Sequence, residues 1–336
     1  MATAIRPLIT LQQGIESAKG TLVAATNKRP GDWNFIEEQD FYRPDYPADA
    51  RGNVGEAGVI TRKGTIIEGE TDLTPEDFLW LMHCGIQGGL SPTTSTDEEL
   101  WEAEPDLDSG NETIETATFE WQESDGSTPH YAGEAGYAML ESFEINWAFN
   151  QPAKVRERWF ARARQSTTLT TSLSPLAGRV PLIAPKLKIY LDNSWAGLGS
   201  TQLTAVNRSG SLKVSTGYAP NYTNDGRADV DFVNHKTGLH AATLSLVLEN
   251  NATGAARIAE FRSNSIVFVR LLFEGAPIGG GNPRMVQIDG AYRFVSPTNR
   301  SNDGQQRLIA VELESVVDPT SGKTMAYAAL NELGAF

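Results

Sequence analysis

The stretch LESFEINWAF, residues 140–149, decides the fold class. Phe143, Ile145, Trp147 and Phe149 alternate with Glu144, Asn146 and Ala148, a period of two that turns one side of a strand to a core and the other to water. Working outward, the same alternation sets Phe119 and Trp121 against Glu120 and Gln122, and it recurs in Leu187–Leu191 and Leu244–Leu248. Ile309, Val311 and Leu313 alternate with Glu312 and Glu314. From Ile266 to Phe273 only Arg270 is polar, which predicts a strand covered on both sides. Turn signals at Asp125-Gly126, Asp225-Gly226, Gly279–Gly281 and Asp303-Gly304 separate these runs. The chain reads as mainly β.

Three short helices are expected. Thr74-Pro75-Glu76-Asp77 opens the first: threonine caps, proline suits the first helical position, and two acids meet the positive end of the dipole. The second spans Thr253–Phe261 and the third runs from about Thr324 to Leu333, stopped by Gly334. Strand, helix, strand, turn and strand follow in the same order in both halves, so the reading is a duplicated module. The predicted units are 1–165, with long irregular segments at 27–58 and 85–115, a Ser/Thr/Pro-rich linker at 166–185, and 186–336.

A length of 336 residues fits about two domains, and 40% hydrophobic with 21% charged residues is ordinary globular composition. Cys84 is the single cysteine, which excludes an intrachain disulfide and a thiol-rich metal cluster. No apolar run approaches the ~20 residues of a membrane-spanning helix. MATAIRPLITLQQG has no signal-peptide pattern, so the expectation is a soluble chain made in a reducing cytoplasm. Net charge is −14, with 28 basic and 42 acidic residues. Between Gly64 and Ala153 there are twenty acids and no lysine or arginine, so the rest carries +6. A basic run, Lys154, Arg156, Arg158, Arg162 and Arg164, follows at once. An uncompensated negative field of this kind argues against tight, sequence-reading nucleic-acid binding.

The long segments carry aromatics. Trp33, Phe35, Phe41, Tyr42 and Tyr46 fall in the first, Trp101 in the second, and Tyr218 and Tyr222 near Gly217–Arg227. Two placements stand open: burial on a neighbouring subunit, or folding back over the chain's own sheet. Catalytic chemistry has no anchor. His83, His130, His235 and His240 lack metal-ligand spacing, and no nucleophile elbow, zincin motif or phosphate loop occurs. Asp106–Gly110 matches only half a calcium loop. The expectation is no enzyme and no cofactor or metal.

GETDLTPEDFLWLM, residues 69–82, resembles the strand-to-helix passage of the tail tube (major tail) proteins of long-tailed bacteriophages. Leu187–Asp192 leading to Gly199–Leu203 is similar to the opening of that family's second half. Ala241–Asn250, Phe273–Ile278 and Asp303–Gln306 follow in the family's order.

The resemblance implies two tandem β-sandwich or β-barrel modules, each with a short helix, whose strands join between subunits into a closed tube. It implies a structural virion protein that self-assembles into stacked rings, with a negatively charged lumen conducting the genome to the host. Duplication implies homotrimeric, pseudo-hexameric rings, with a homohexamer as the alternative. Expected partners are the tape measure, tail terminator and distal tail proteins and transiently passing double-stranded DNA, with no membrane. The expected location is the virion tail, assembled in host cytoplasm. Lumen-facing candidates are Glu68, Glu70, Glu120, Gln122, Glu144, Asn146, Glu312 and Glu314. Inter-subunit candidates are the eight aromatics above with Arg158 and Arg162, the basic run meeting the acidic 85–115 arm of an adjacent ring. The competing reading is a two-module carbohydrate-binding or carbohydrate-cleaving virion adhesin.

Overall fold

The computed structural model describes residues 8–42, 58–95, 97–107, 114–125, 129–204, 206–222, 228–230, 238–252, 260, 262–279, 281–295, 299–303 and 306–336. Strands in the first half are Leu8–Ile15 (β1), Asn27–Lys28 (β2), Asp32–Tyr42 (β3), Val59–Asp72 (β4), Thr93–Ser95 (β5), Glu98–Ala103 (β6), Ala117–Ser124 (β7), Pro129–Ala148 (β8) and Lys154–Ala161 (β9). In the second half they are Leu187–Asp192 (β10), Asn207–Ser215 (β11), Ala241–Glu249 (β12), Val267–Pro277 (β13), Pro283–Phe294 (β14), Asn299–Asp303 (β15), Gln306–Ser315 (β16) and Met325–Asn331 (β17). The one α-helix lying wholly within the described residues is Pro75–Gly85 (α1).

All the strands belong to one antiparallel sheet. Its main run is β3-β4-β9-β8-β11-β12-β16-β14-β13-β10. β15 lies along β16, β17-β6-β5 branches from β14, and β7-β1-β2 branches from β8. Among the described residues these pairings never return to their start, so the sheet is open. This corrects the expected fold class of two tandem sandwich or barrel modules closing into a tube. The physical reason is long-range pairing. β8 of the first half takes β11 of the second, β6 takes β17, and the apolar faces of both halves meet in one core.

β8 carries the architecture. Over its twenty residues it changes neighbours: 129–138 pair with β7, while 139–148 pair with β9 and β11. The change falls at Tyr137, which sits at φ 60°, a left-handed conformation that costs a side-chain-bearing residue roughly 1–2 kcal/mol. Tyr137 is held there from both sides. Its N–H donates to the buried Glu16 carboxylate at 2.7 Å, and Arg162 lies 4.8 Å from its ring centroid. Bent in this way, the β7-β1 layer lies over the main sheet. Trp121 stacks on Phe35 at 4.7 Å and Phe119 meets Trp159 edge-on at 5.1 Å.

α1 fills the rest of the interior. Thr74 Oγ1 accepts from the Asp77 N–H at 3.1 Å, Pro75 opens the helix, and Ile86 N–H closes it on Met82 O. Every α1 residue is buried, as a helix packed between layers requires; its neighbours are β8, β17 and β14.

The helix expected at 324–333 is instead β17. Alanine and leucine favour a helix, but Met325–Leu330 pair with β14 on one side and Tyr327–Asn331 with β6 on the other, and ladder and burial outweigh propensity. The helix expected at 253–261 falls almost wholly outside the described residues. The segment 27–58 contains β2 and β3, and 85–115 contains β5 and β6. In 166–185, Leu176 and Leu182 are buried; Leu182 N–H donates to Leu73 O and its carbonyl accepts from Ala153 N–H.

Candidate functional site

Residues directly opposed in an antiparallel ladder point to the same face. One row therefore crosses eight strands on the face away from the core: Asp32, Glu70, Arg156, Glu144, Lys213, Thr243, Glu314 and Arg293. A second row holds Asp72, Lys154, Asn146, Ser211, Ser245 and Glu312, and a third holds Asn34, Glu68, Arg158 and Ser142. The opposite face of the same strands supplies Ile67, Trp159, Ile145, Leu212, Leu244 and Leu313 to the core. The alternation that makes these strands thus also makes an unbroken polar surface spanning both halves of the chain.

Six of the eight lumen candidates meet on this surface: Glu68, Glu70, Glu144, Asn146, Glu312 and Glu314. The other two lie on β7, in the second layer. Gln122 is half-buried there. Glu120 is 3% exposed, and its carboxylate accepts from the N–H groups of Ala25 and Thr170 at 2.9 and 2.7 Å. The assignment of Glu120 to a solvent-facing surface is therefore corrected: the loop around Ala25 and the stretch at Thr170 cover it, and the carboxylate satisfies their backbone.

The basic run lies in the middle of the surface, on β9. Lys154 Nζ reaches Asp72 at 2.7 Å, Arg156 Nε reaches Glu70 at 2.7 Å, and Arg158 holds both Glu68 and Glu141, the latter at 2.9 Å. The Glu70 hydrogen bond raises the Arg156 pKa, and burial raises that of Glu141. The surface carries eight carboxylates, counting Glu141, and five cations, a net −3 over its extent. The acidic segment and the basic run, separate blocks in the sequence, are interleaved in space. A shallow groove of about 610 Å³ runs along these pairs, walled by Asn34, Glu68, Glu70, Glu144, Arg156 and Lys213.

Glu157, which interrupts the basic run, points the other way. It is buried against Arg29, with Arg29 Nη2 at 2.6 Å from Oε1 and Trp159 Nε1 at 2.8 Å from Oε2. Arg29 also donates to Gln13 at 2.8 Å and lies 5.4 and 5.8 Å from the ring centroids of Trp33 and Trp80. A period-two reading of KVRERWF, residues 154–160, places Lys154, Arg156 and Arg158 on one face and Glu157 on the other. The signal that finds the cationic part of this surface is present in the sequence.

The inter-subunit candidates divide. Trp33, Trp101 and Tyr218 are buried inside the chain, at 3%, 1% and 6% exposure, and Phe35 is stacked on Trp121. For these four the placement on a neighbouring subunit is corrected: they cover the chain's own sheet. Arg158 is paired with Glu68 and Glu141, and Arg162 donates to the carbonyls of Gly20 and Val230. Tyr222 is half-buried, with Arg62 5.4 Å from its ring centroid. Phe41 and Tyr42 remain exposed at the far end of the β3-β4 hairpin, beside Val59 and Ile60. Tyr46 lies outside the described residues. No cluster of metal-ligating side chains occurs among the described residues.

Compared with known proteins, the chain matches no protein-family model and no curated protein.

Proposed function

We propose that this chain is a structural building block of a bacteriophage tail, self-assembling into stacked rings whose passage conducts double-stranded DNA. The observation that carries the reading is the continuous polar surface. Six residues chosen from strand alternation and family resemblance come together on it, across both halves of one chain. A conduit wall needs one wide face that is wet, net negative and weakly adhesive to phosphate, backed by a packed interior. Copies set around an axis with this face inward supply such a wall, while each chain keeps its own open sheet. Three copies make a pseudo-hexameric ring in this reading, in contact with tape measure, terminator and distal tail proteins along the tail. The role is mechanical and electrostatic, and no catalytic step is assigned.

The test is negative-stain electron microscopy of the purified chain at high concentration, with class averages. Stacked rings with a central hole are the expected result. Dispersed single particles that bind glycans would replace the reading with the adhesin.

A further inference from the structure

The polar surface contains five cations, and a passage for DNA lined by free lysine and arginine would hold its cargo by exchanging condensed counterions for protein charge. Here three of those cations already have partners built into the chain. β4 offers Asp72, Glu70 and Glu68 at alternate positions, and β9 offers Lys154, Arg156 and Arg158 at the positions directly opposite. Each carboxylate meets its own cation. Arg158 also holds Glu141 on β8; the ladder's side chains are partly exposed, and it lies in the centre of the surface. As stability such exposed pairs contribute little. As electrostatics they matter more: a phosphate approaching Arg156 must displace Glu70, and the displaced carboxylate stays beside it as a repelling charge.

We propose that the Asp72–Lys154, Glu70–Arg156 and Glu68–Arg158 ladder is a charge mask that keeps this surface from capturing double-stranded DNA. Resting on the tail reading, it assigns the β4 acids a role that net charge alone does not describe. They cancel specific cations at fixed positions, so the centre of the surface presents neither a free cation for phosphate to seize nor a uniform repulsive field. The cations in turn keep the neighbouring acids at a spacing that a fully acidic wall could not hold without self-repulsion.

The experiment uses the soluble full chain and a short fluorescein-labelled DNA duplex, with anisotropy read near 0.01 M salt, where the screening length is about 30 Å. The native chain is expected to leave the anisotropy unchanged. The combined Asp72→Asn, Glu70→Gln, Glu68→Gln variant is expected to bind the duplex about tenfold more tightly or better, with a log–log salt slope near −2 as Lys154 and Arg156 engage phosphate while Arg158 keeps Glu141. Adding Lys154→Gln and Arg156→Gln should remove the gain. A combined variant with native circular dichroism and melting temperature that fails to bind overturns the proposal, as does a native chain that binds equally well. If the combined variant does not fold, Glu70→Gln alone carries the same test with a slope near −1. Rings are not needed for this readout, so a missing mask and a missing tube are separate results.

Discussion

Replacing Arg29 by methionine removes the only cation that touches the Glu157 carboxylate among the described residues. Both side chains are sealed from solvent, at 0% and 1% exposure, with 2.6 Å between Nη2 and Oε1. Truncating one member of a buried pair costs about 3–5 kcal/mol, because the other is left as an uncompensated charge. A methionine side chain at this position keeps much of the contact with Trp33 and Trp80, so the upper part of that range is reserved for Arg29→Ala. Replacing the whole pair, Arg29→Met with Glu157→Leu, removes both charges and should recover most of the loss, to within about 2 kcal/mol of the native chain. Urea unfolding at pH 7, with the slope held common, measures all three. The pH dependence has a definite sign. Desolvation raises the Glu157 pKa in the folded chain, against the pull of Arg29. A raised carboxyl favours the fold below its unfolded value and loses that contribution as pH rises through the folded one. Without Arg29 the folded value rises further, so the deficit of Arg29→Met should shrink on acidification from pH 7 toward the ordinary carboxyl value of 4.5. Single Arg29 variants costing under about 1 kcal/mol, or a pair variant no more stable than Arg29→Met alone, would refute the account.

Two further outcomes follow from local geometry. Burial raises the Glu76 pKa to about 7, with Arg284 at 2.6 Å acting in the opposite direction. By the same sign rule its contribution is present below about pH 4.5 and is lost as pH rises through about 7, so Glu76→Gln should flatten the stability profile between those values, measured by melting temperature against pH. Gly69 faces Trp33 directly across the β3-β4 ladder, and a Cβ there would press into the indole ring; Gly69→Ala should cost about 1–3 kcal/mol in chemical unfolding through displacement of that ring.

Local signals carry the strands whose two faces differ most. In β8 the alternation of Phe143, Ile145 and Trp147 with Glu144 and Asn146 reports a face buried on α1 and a face in water, and the α1 cap is spelled out by Thr74-Pro75. β3 is harder to see, because at the sheet edge most of its residues beyond Phe35 are exposed or half-exposed on both faces. β17 misleads for the opposite reason: it is buried almost throughout, so its alanines show helix propensity and no alternation. The joining of the halves leaves no local trace at all. The β8-β11 pairing links residues about as far apart as Ile145 and Leu212, and no periodicity within either strand names its partner. The candidate surface is legible on its acidic side and half-legible on its basic side. Glu120 escapes because β7 shows the same alternation as β8 while its polar face is roofed by residues near Ala25 and Thr170.

The bend in β8 gives the molecule a mechanical property. One continuous strand is stitched by ladders to β7 above Tyr137 and to β9 and β11 below it, so a force pulling the two layers apart is carried along this backbone through one strained joint as well as by the ring contacts between the layers. The joint is preloaded, clamped by Glu16 on the amide and Arg162 on the ring, and behaves as a rigid elbow.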